Sequence, residues 1–517
     1  MNDAVVGIDI GTTSTKGVLV DTDGLTIASA SREATLTSPH PTWAEMDPEE
    51  WWTNTVEVLR TLVREARGRA TVRAVGVSGM VPALVLLDEA GRPLRPSIQQ
   101  NDARTPVEIE EDAEAIGQDR FFELTGGSIN QQVLAPKFRW LSKHEPEVLR
   151  KTVRVCGSYD FIGSRLTGVP YVEHNWALEA GLVDVSTGSW HDELIAVAGI
   201  DRSILPPIAP SHHVVGEITP AAAEQTGLAS GTPVVAGVAD HVASAFTAGV
   251  RHPGDLLVKF GGAGDVLYAL DDLVTERRLF IDHHVTPGAF YLNGCMATSG
   301  SLVKWFARSF APDEVRQASR TGGNPYALLD EHARTLPPGS DGLVVLPYFL
   351  GEKTPLHDPH ARGTIVGLGL HHGRGHLFRA VLEAVAYGFR HHVDVLAERS
   401  LPVRRVLAAD GGAASDLWLQ ITADVLGHAV HRVEGTTGSS LGAAFVAGKA
   451  VGLFDAWSDI ETFARPGATF EPREQVGQTY TNYYDLYRDT YERLRTLYPR
   501  LADVRRRAIE HDGEGSP

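Results

Sequence analysis

The opening stretch of the chain constrains its fold most, because two apolar runs flank a short Gly-Thr-Thr-Ser-Thr turn. This pattern predicts a β-hairpin. Asp9 lies near the end of the first run, and Gly11, Thr12 and Thr13 begin the turn. Clustered backbone N–H groups in such a turn can bind phosphate oxygens, and a neighbouring carboxylate can hold Mg²⁺. A plain hairpin in which Asp9 forms an Asx-turn is an equally good interpretation of these residues alone.

The turn does not match the common nucleotide-binding motifs. A Walker A loop requires a glycine directly before its lysine, whereas Thr15 precedes Lys16 here. No G-x-G-x-x-G run opens a helix after a predicted strand either. Both motifs are therefore excluded.

Length, charge and cysteine content narrow the class of protein. A chain of 517 residues suggests two or more domains, and a net charge of −18 argues against a nucleic-acid partner. The two cysteines, Cys156 and Cys295, make a disulfide framework implausible and predict a reducing compartment. The start lacks the pattern of a signal peptide, and no apolar run approaches the roughly 20 residues that span a bilayer. We therefore expect a cytoplasmic protein without a membrane partner.

Strand-like and helix-like runs alternate along the chain, which predicts an α/β architecture. Residues 255–270 repeat the opening pattern of an apolar run, a glycine-rich turn and a second apolar run. Two halves that each open with a hairpin suggest a duplicated fold with a cleft between the halves. The turn-rich stretch 250–255 marks the change, so the predicted domains are 1–246 and 247–517.

Asp240 lies at a predicted strand-to-helix junction, because an apolar run ends at Ala239 and a helical pattern follows. Asp at such a junction is a good helix N-cap. The alternative is a general base at the carboxyl end of a strand, where α/β proteins bind their ligands. The local sequence alone favours the cap.

A second junction, from Ala408 to Trp418, predicts a strand end, a Gly-Gly turn and a helix start. Gly411 and Gly412 would let a ligand approach the backbone closely, and the helix N-terminus would attract an anion. A turn that needs glycine only for its backbone conformation is the other interpretation. The small residues of 434–444 would let a further helix pack tightly beneath a nucleotide.

These pieces, in this order, resemble the FGGY family of carbohydrate kinases over nearly the whole chain. The most specific match is Gly363–Leu368 followed, after seven residues, by His376–Glu383, which resembles the C-terminal signature of the family. The stretches Trp43–Trp52 and Leu94–Arg104 resemble the xylulose kinase branch in particular.

The resemblance implies two ribonuclease-H-like domains of the actin and hexokinase type, with the sugar deep in an interdomain cleft and ATP mainly on the second domain. It also implies that Asp9 lies near Mg²⁺ and that Asp240 is the catalytic base. The residues that it implies for ATP binding are Gly11, Thr12, Thr13, Lys16, Gly261, Gly262, Gly411, Gly412 and Ala413.

The same resemblance implies a sugar pocket whose residues depart from the xylulose kinase pattern. The implied sugar contacts are Met80, Val81, Pro82, Asn101, Asp102, Asp240 and His241. Aligned without a gap, Val81 and Pro82 stand where a Met-His pair is typical, whereas an alignment with a gap keeps Met80 but has no histidine after it. Gln100 replaces a Trp. His241 follows the base where Asn is common. The phosphoryl-transfer chemistry is therefore expected to be retained, whereas the identity of the sugar stays open, because sites that bind hydroxyls discriminate strongly.

The predicted function is ATP-dependent phosphorylation of a primary hydroxyl of a small ketose or polyol. Conversion of D-xylulose to D-xylulose 5-phosphate is the favoured single reaction, and ribulose, erythritol or another polyol are alternative substrates. A different class, a non-catalytic actin-like ATP-binding switch, would keep the phosphate hairpins but need no base or sugar pocket. Many kinases of the family are dimers, so a homodimer is a further expectation.

Overall fold

The computed structural model describes residues 2–434, 438–463 and 465–513. The chain divides into two compact units. Unit 1 comprises Met1–Arg251, Leu270–Leu292 and Gly435–Arg465, and unit 2 comprises His252–Ala269, Asn293–Glu434 and Pro466–Pro517. The first break lies close to the predicted boundary at residue 246, but the sequence did not predict that two later segments belong with the first half.

The elements of the first 251 residues begin with a long hairpin and alternate between strands and helices. The strands are β1 (Asn2–Ile10), β2 (Ser14–Asp21), β3 (Thr26–Glu33), β4 (Glu45–Met46), β5 (Ala70–Gly79), β6 (Val85–Leu87), β7 (Ser97–Ile98), β8 (Arg154–Cys156), β9 (Val172–Glu173), β10 (Val183–Asp184), β11 (Ser189–Trp190), β12 (Ile208–Ala209), β13 (Val214–Glu217), β14 (Pro233–Val235) and β15 (Val238–Ala239). The helices are α1 (Pro48–Ala66), α2 (Pro106–Ile116), α3 (Gln118–Thr125), α4 (Leu134–His144), α5 (Pro146–Lys151), α6 (Ser158–Thr167), α7 (His174–Glu179), α8 (Asp192–Ala198), α9 (Pro220–Thr226) and α10 (Asp240–Thr247).

The remaining elements repeat this alternation. The strands are β16 (Asp255–Lys259), β17 (Gly264–Leu270), β18 (Phe280–His283), β19 (Phe290–Met296), β20 (Val344–Leu346), β21 (Thr364–Val366), β22 (Arg405–Ala409), β23 (Val430–Glu434) and β24 (Arg465–Phe470). The helices are α11 (Gly300–Phe310), α12 (Pro312–Thr321), α13 (Pro325–Arg334), α14 (Arg374–Glu398), α15 (Asp416–Leu426), α16 (Ser439–Ala450), α17 (Glu474–Leu494) and α18 (Leu497–Gly513). Of these elements, β18 and α16 belong to unit 1.

The main sheet of unit 1 has the strand order β13-β14-β5-β1-β2-β3, and β15 also pairs with β5. β1 and β2 form the predicted hairpin, in which Asp9 is paired with Lys16. β1 and β15 are both parallel to β5. β1 and β5 carry continuous buried runs, as central parallel strands that are covered on both faces do. The carboxyl ends of these three strands therefore meet at one edge of the sheet.

Helix α16 packs against β1 and β5 in unit 1. Gly7 and Gly76 allow this close approach, because a Cβ atom on them would overlap the carbonyl oxygens of Ser440 and Ala443, respectively. The tight packing that the small residues predicted is therefore made against the first hairpin, and the nucleotide above this helix stays a prediction. Residues 435–437, which belong to the same predicted stretch, lie outside the described residues.

Unit 2 contains a second hairpin, β16 and β17, which are antiparallel like β1 and β2. β16 is parallel to β22, as β1 is to β5. The sheet continues from β22 to β23 and β24. The structure thus shows the repeated hairpin that the sequence predicted.

Within the described parts of the chain, none of the helices combines the length and the apolar character that crossing a bilayer requires. Cys156 and Cys295 are both free cysteines. Burial raises the pKa of both thiols. Because the thiolate is the reactive form, both cysteines are poor nucleophiles.

Candidate active site

Three parallel strands of unit 1 place two acidic residues at one edge of the sheet. Ile10 of β1 and Ala239 of β15 are both paired with Gly79 of β5. Asp9 precedes Ile10, and Asp240 follows Ala239 directly. Parallel α/β sheets bind their ligands at this edge. The two carboxylates therefore belong to one candidate site in unit 1.

Asp9 carries a buried carboxylate that lies near a second negative charge. It accepts a hydrogen bond from Ser78 Oγ at 2.9 Å. Burial is the main cause that raises the pKa of Asp9 to about 6, and the negative charge of Asp240 acts in the same direction. Hydrogen bonds from Ser439 and Ser78 and the charge of Lys16 partly oppose this rise. A bound cation would relieve the cost, because opposite charge favours the ionised form of a carboxyl group.

Asp240 is the first residue of α10, and the N-cap position belongs to Ala239. The predicted capping role of Asp240 is therefore not what the structure shows. Its Oδ1 atom accepts a hydrogen bond from the backbone N–H of His241 at 2.6 Å. Its Oδ2 atom has no hydrogen-bond partner among the described residues, and the side chain is 40% exposed. Oδ2 is thus available to a ligand.

The turn of the first hairpin has two backbone N–H groups that are available to a ligand. The N–H of Gly11 donates to the carbonyl oxygen of Ser14 at 3.1 Å, so the turn itself uses this donor. The N–H groups of Thr12 and Thr13 have no acceptor in the described part of the chain, and neither threonine is buried. These two adjacent donors are what the turn offers to an anion.

His241 lies among three acidic side chains of unit 1. Its Nε2 atom is 3.0 Å from Asp282 Oδ2 and 3.6 Å from Glu179 Oε1. Its Nδ1 atom is 3.4 Å from Asp240 Oδ1. Glu179 ends α7, and Asp282 lies in β18. The sequence predicted His241 as a sugar contact but did not predict its acidic partners Glu179 and Asp282.

Met80, Val81 and Pro82 follow β5 at the same edge, and all three are buried. Ser158 Oγ donates to the carbonyl oxygen of Met80 at 3.0 Å, which ties this segment to α6. Their side chains carry no hydrogen-bond donor, so the segment supplies an apolar wall where a Met-His pair would supply an imidazole. Asn101, another predicted sugar contact, is exposed.

The structure corrects the predicted role of Asp102. Its carboxylate is fully buried and accepts hydrogen bonds from the Arg104 side chain, at 2.8 Å to each oxygen, and from the N–H of Ala44 at 2.6 Å. Arg104 also donates to Glu45 at 2.7 Å and lies 3.8 Å from the ring centre of Trp43. A buried arginine requires a paired carboxylate. Both oxygens of Asp102 are therefore bound within the protein, and neither is available to a sugar.

Unit 2 holds a cavity of about 320 Å³, a size that is typical of small-molecule sites. The predicted nucleotide-binding residues that line it are Gly261, Gly262, Gly411 and Gly412. Ala413 is instead buried beneath the turn, where its N–H donates to the carbonyl oxygen of Asp410 at 3.0 Å. Phe260, Tyr326 and Trp418 also line the cavity. Glycine turns beside aromatic walls suit a flat, apolar-faced ligand that carries phosphates.

Sequence reasoning missed four polar residues at the unit 1 edge: Ser78, Glu179, Asp282 and Ser439. Ser78 had a local signal, because a serine near the carboxyl end of a predicted central strand faces the same edge as Asp9. The other three had none, because they come from segments far apart in the chain that only the tertiary structure brings together.

Comparison with known proteins identifies the family of the chain. The N-terminal domain model of the FGGY family of carbohydrate kinases matches residues 4–247, and the C-terminal domain model matches residues 266–451. The xylulose kinase of Bacillus subtilis is 31% identical over 506 residues, which cover 97% of this chain and 99% of that protein. The gluconokinase of Bacillus subtilis is 27% identical over 514 residues, which cover 99% and 100%. The crystal structure of xylulose kinase from Rhodospirillum rubrum aligns with a TM-score of 0.90 at 44% identity, covering 96% of this chain and 99% of that one.

The repeated hairpin sheets and these matches define the class as the actin and hexokinase type of phosphotransferase, which confirms the predicted fold class. Within that class, the chain belongs to the FGGY family of carbohydrate kinases. It is therefore an enzyme that takes ATP and a sugar as substrates. The alternative of a non-catalytic ATP-binding switch is set aside.

Proposed function

We propose that this kinase transfers the γ-phosphoryl group of ATP to the primary hydroxyl of D-xylulose, giving D-xylulose 5-phosphate and ADP. The xylulose kinases among its relatives support the choice of sugar. The observation that carries the chemistry is the free Oδ2 atom of Asp240, at the edge that also holds Asp9. We also propose that the enzyme works in the cytoplasm and forms a homodimer, as the sequence predicted.

Asp240 acts as the general base in this proposal. As the hydroxyl oxygen attacks the γ-phosphorus, its proton passes to Asp240 Oδ2, and the bond from the γ-phosphorus to the β,γ-bridging oxygen of ATP breaks. The Oδ1 atom stays held by the His241 backbone, which orients the free oxygen. General-base assistance of this kind is worth about 10²–10⁴-fold in rate.

Mg²⁺ fits the carboxylate of Asp9. The raised pKa of Asp9 reports a buried acid that repels the neighbouring Asp240, and hard cations prefer such oxygen ligands. Bound there, Mg²⁺ would neutralise phosphate charge during transfer. The protein's own contribution is to hold Asp9 with Ser78 and Ser439 and to present the N–H groups of the hairpin turn.

ATP occupies the unit 2 cavity in this proposal. Gly261 and Gly262 sit in the turn of the second hairpin, and Gly411 and Gly412 sit in the turn before α15. Because glycines leave room for the ligand at the backbone, these two turns are the parts of unit 2 that suit a nucleotide. The N–H of Gly412 is used internally, as it donates to the Phe260 carbonyl oxygen at 3.0 Å, so this residue contributes shape rather than a donor.

The charges at the unit 1 edge favour a neutral sugar over a sugar acid. The four acidic side chains described there outnumber the cations Lys16 and His241, and both cations lie beside those acids. Gluconate, the substrate named for one group of relatives, would bring a carboxylate into this negative surface, where like charges repel. A ketose brings hydroxyls that can pair with the same acids.

Replacement of Asp240 by Asn tests this mechanism. We expect Asp240→Asn to lower kcat by about 10²–10⁴-fold, with little change in the Kd for ATP measured by calorimetry. Asp272→Asn is the matched control, because Asp272 is an exposed aspartate of the same unit. Retained turnover in the Asp240→Asn variant would remove Asp240 from the reaction.

A substrate panel tests the sugar. The rate of ADP production is compared for D-xylulose, D-ribulose, erythritol and gluconate at equal concentration. We expect D-xylulose to have the highest kcat/KM and gluconate the lowest. A preference for gluconate would contradict the charge argument and move the enzyme to the other group of relatives.

A further inference from the structure

We propose that Asp282 and Glu179 are positioning residues that act on the catalytic base through His241. They hold the imidazole so that it fixes the Oδ1 atom of Asp240 and leaves Oδ2 for the sugar hydroxyl. This inference rests on the proposed function, because it assigns a role relative to the base Asp240. It concerns residues that neither the sequence motifs nor the resemblance singled out.

Both ring nitrogens of His241 face carboxylates. Nε2 lies 3.0 Å from Asp282 Oδ2, within hydrogen-bond distance, with Glu179 Oε1 at 3.6 Å. Nδ1 lies 3.4 Å from Asp240 Oδ1. An imidazole has two nitrogens only, so none is left for a sugar hydroxyl. The geometry therefore changes the predicted role of His241 from sugar contact to support for the base.

The side chain of Asn175 holds β18, the strand that carries Asp282. The side-chain amide of Asn175 accepts from the N–H of His283 at 2.6 Å and donates to the carbonyl oxygen of His283 at 3.0 Å. The His283 ring stacks on the His174 ring at 4.2 Å between centroids. Asn175 thus binds the backbone of β18 and ties Asp282 to α7, the helix that ends at Glu179.

The burial of this cluster requires a defined arrangement of charge. Asp282 is completely buried, and its Oδ1 atom and Glu179 Oε1 have no hydrogen-bond partner in the described structure. Burial and the neighbouring Asp282 raise the pKa of Glu179 well above its usual range. Burial alone would lower the pKa of His241, but Asp282, Asp240 and Glu179 outweigh it and raise that pKa well above its ordinary value. An imidazolium held between these acidic side chains satisfies this requirement, because neighbouring opposite charge favours its charged form.

A fixed imidazolium explains how Asp240 keeps one orientation although its side chain is partly exposed. Oδ1 receives the backbone N–H of His241 and faces its ring. Rotation of the carboxylate would break both interactions. Because misplacement of a reacting group by about 1 Å can cost about 10²-fold in rate, loss of this support should lower kcat without weakening the binding of either substrate.

A double-mutant cycle tests whether Asp282 acts through His241. We expect His241→Ala and Asp282→Ala each to lower kcat by about 10- to 100-fold, with KM for D-xylulose and for ATP changed less than about 3-fold. The double variant should be no slower than His241→Ala alone, because residues that act as one unit are not additive. Additive losses, or a loss that appears in the KM for the sugar, would overturn the proposal.

Conservative variants cover the case in which an alanine variant does not fold. Asp282→Asn keeps the shape of the side chain but removes the charge, so a smaller loss of kcat than for Asp282→Ala is expected. Glu179→Gln should stay within about 3-fold of the parent, because the amide keeps the shape of the side chain and Oε1 lies 3.6 Å from His241 Nε2, beyond hydrogen-bond distance. Asp272→Ala is the exposed control, and thermal unfolding of each variant verifies the fold. Unchanged kcat in folded Asp282→Asn and His241→Ala would contradict the inference.

A bound metal ion is the rival occupant, because one ligand atom from each of Glu179, His241 and Asp282 lies within 4.8 Å of the others. Chelator treatment followed by Mg²⁺ alone should restore the full rate if the carboxylates alone hold the imidazole. A rate restored only by zinc or manganese would overturn the proposal.

The Asp240→Asn variant distinguishes failure of this inference from failure of the proposed function. If Asp240→Asn is active, the proposed role of Asp240 as general base is wrong. If it is inactive and the His241 and Asp282 variants are unaffected, only the positioning role proposed here is wrong.

Discussion

The two hairpins have the same strand arrangement, but the residue two positions before the turn glycine has the opposite charge in each. Asp9 stands two residues before the turn glycine Gly11, and Lys259 stands two residues before Gly261. Asp9 is paired with Lys16 on the neighbouring strand. In the second hairpin the signs are exchanged, because Lys259 Nζ lies 3.3 Å from Asp265 Oδ2.

The comparison shows that the two units have the same backbone arrangement at this position, whereas their side chains differ in charge. The repeated backbone supplies a strand end, a tight turn and a parallel neighbouring strand in each unit. We expect the side chain at the strand end to select the ion, because a buried carboxylate attracts a cation and an ammonium group attracts phosphate. Substitutions in the two hairpins should therefore have different kinetic signatures.

The largest effect is expected from the first hairpin. Asp9→Asn should lower kcat by about 10³-fold, because the loss of a charge that stabilises the transferring group costs several kcal/mol. ATP binding measured without Mg²⁺ should change little. A kcat within about tenfold of the parent would show that Asp9 does not hold the metal.

The second hairpin should respond in substrate affinity. Lys259→Met should raise the KM for ATP by about 10- to 30-fold, since a charged hydrogen bond is worth about 1.5–3 kcal/mol, with a smaller effect on kcat. Lys259→Arg should recover much of the affinity because it keeps the charge. Lys151→Met, at an exposed position of unit 1, is the control. If Lys259→Met lowers only kcat, the contrast between the hairpins fails.

Substitution of two adjacent glycines tests whether the turn before α15 shapes the proposed nucleotide site. A Cβ on Gly412 would lie 2.6 Å from Trp418 and 2.7 Å from Phe260, whereas a Cβ on Gly411 would meet nothing within 4 Å. Gly412→Ala should therefore raise the KM for ATP by about 5- to 10-fold, because overpacking of about 1–3 kcal/mol distorts the turn. Gly411→Ala should change it by less than about 2-fold, because it creates no such overlap. Equal effects in both variants would argue that the turn does not shape the site.

The smallest effect concerns the pH dependence of stability. The pKa of Asp9 is about 6 in the folded protein and 3.8 ordinarily, so its contribution to stability is present below pH 3.8 and is lost as the pH rises through 6. Without Mg²⁺, Asp9→Asn should therefore be more stable than the parent at about pH 8 by on the order of 2 kcal/mol, and by less at about pH 4.5. Added Mg²⁺ should reduce the gain at the higher pH. Chemical denaturation at both pH values measures this, and a gain independent of pH would exclude the repulsion at Asp9.

Local patterns predicted where the proposed catalytic acids and the glycine turns lie in the fold. Asp9, Asp240, Gly411 and Gly412 each sit at the end of a strand, where an apolar run changes abruptly to a turn or helix. The same reasoning failed for Asp102, because it did not predict that the nearby Arg104 and the distant Ala44 bind both of its oxygens. It also failed for Asp240 as a cap, since the helix begins one residue earlier than the cap required.

By itself, the sequence determined the two hairpins, the α/β alternation and the family, because apolar runs, glycine turns and motif spacing are properties of neighbouring residues. Only the tertiary structure decided that α16 lies on β1 and β5, that the N–H of Ala44 binds Asp102, and that Asp282 and Glu179 surround His241. These contacts join distant segments. Close packing and the need to pair buried charge select such partners, and no local pattern records that selection.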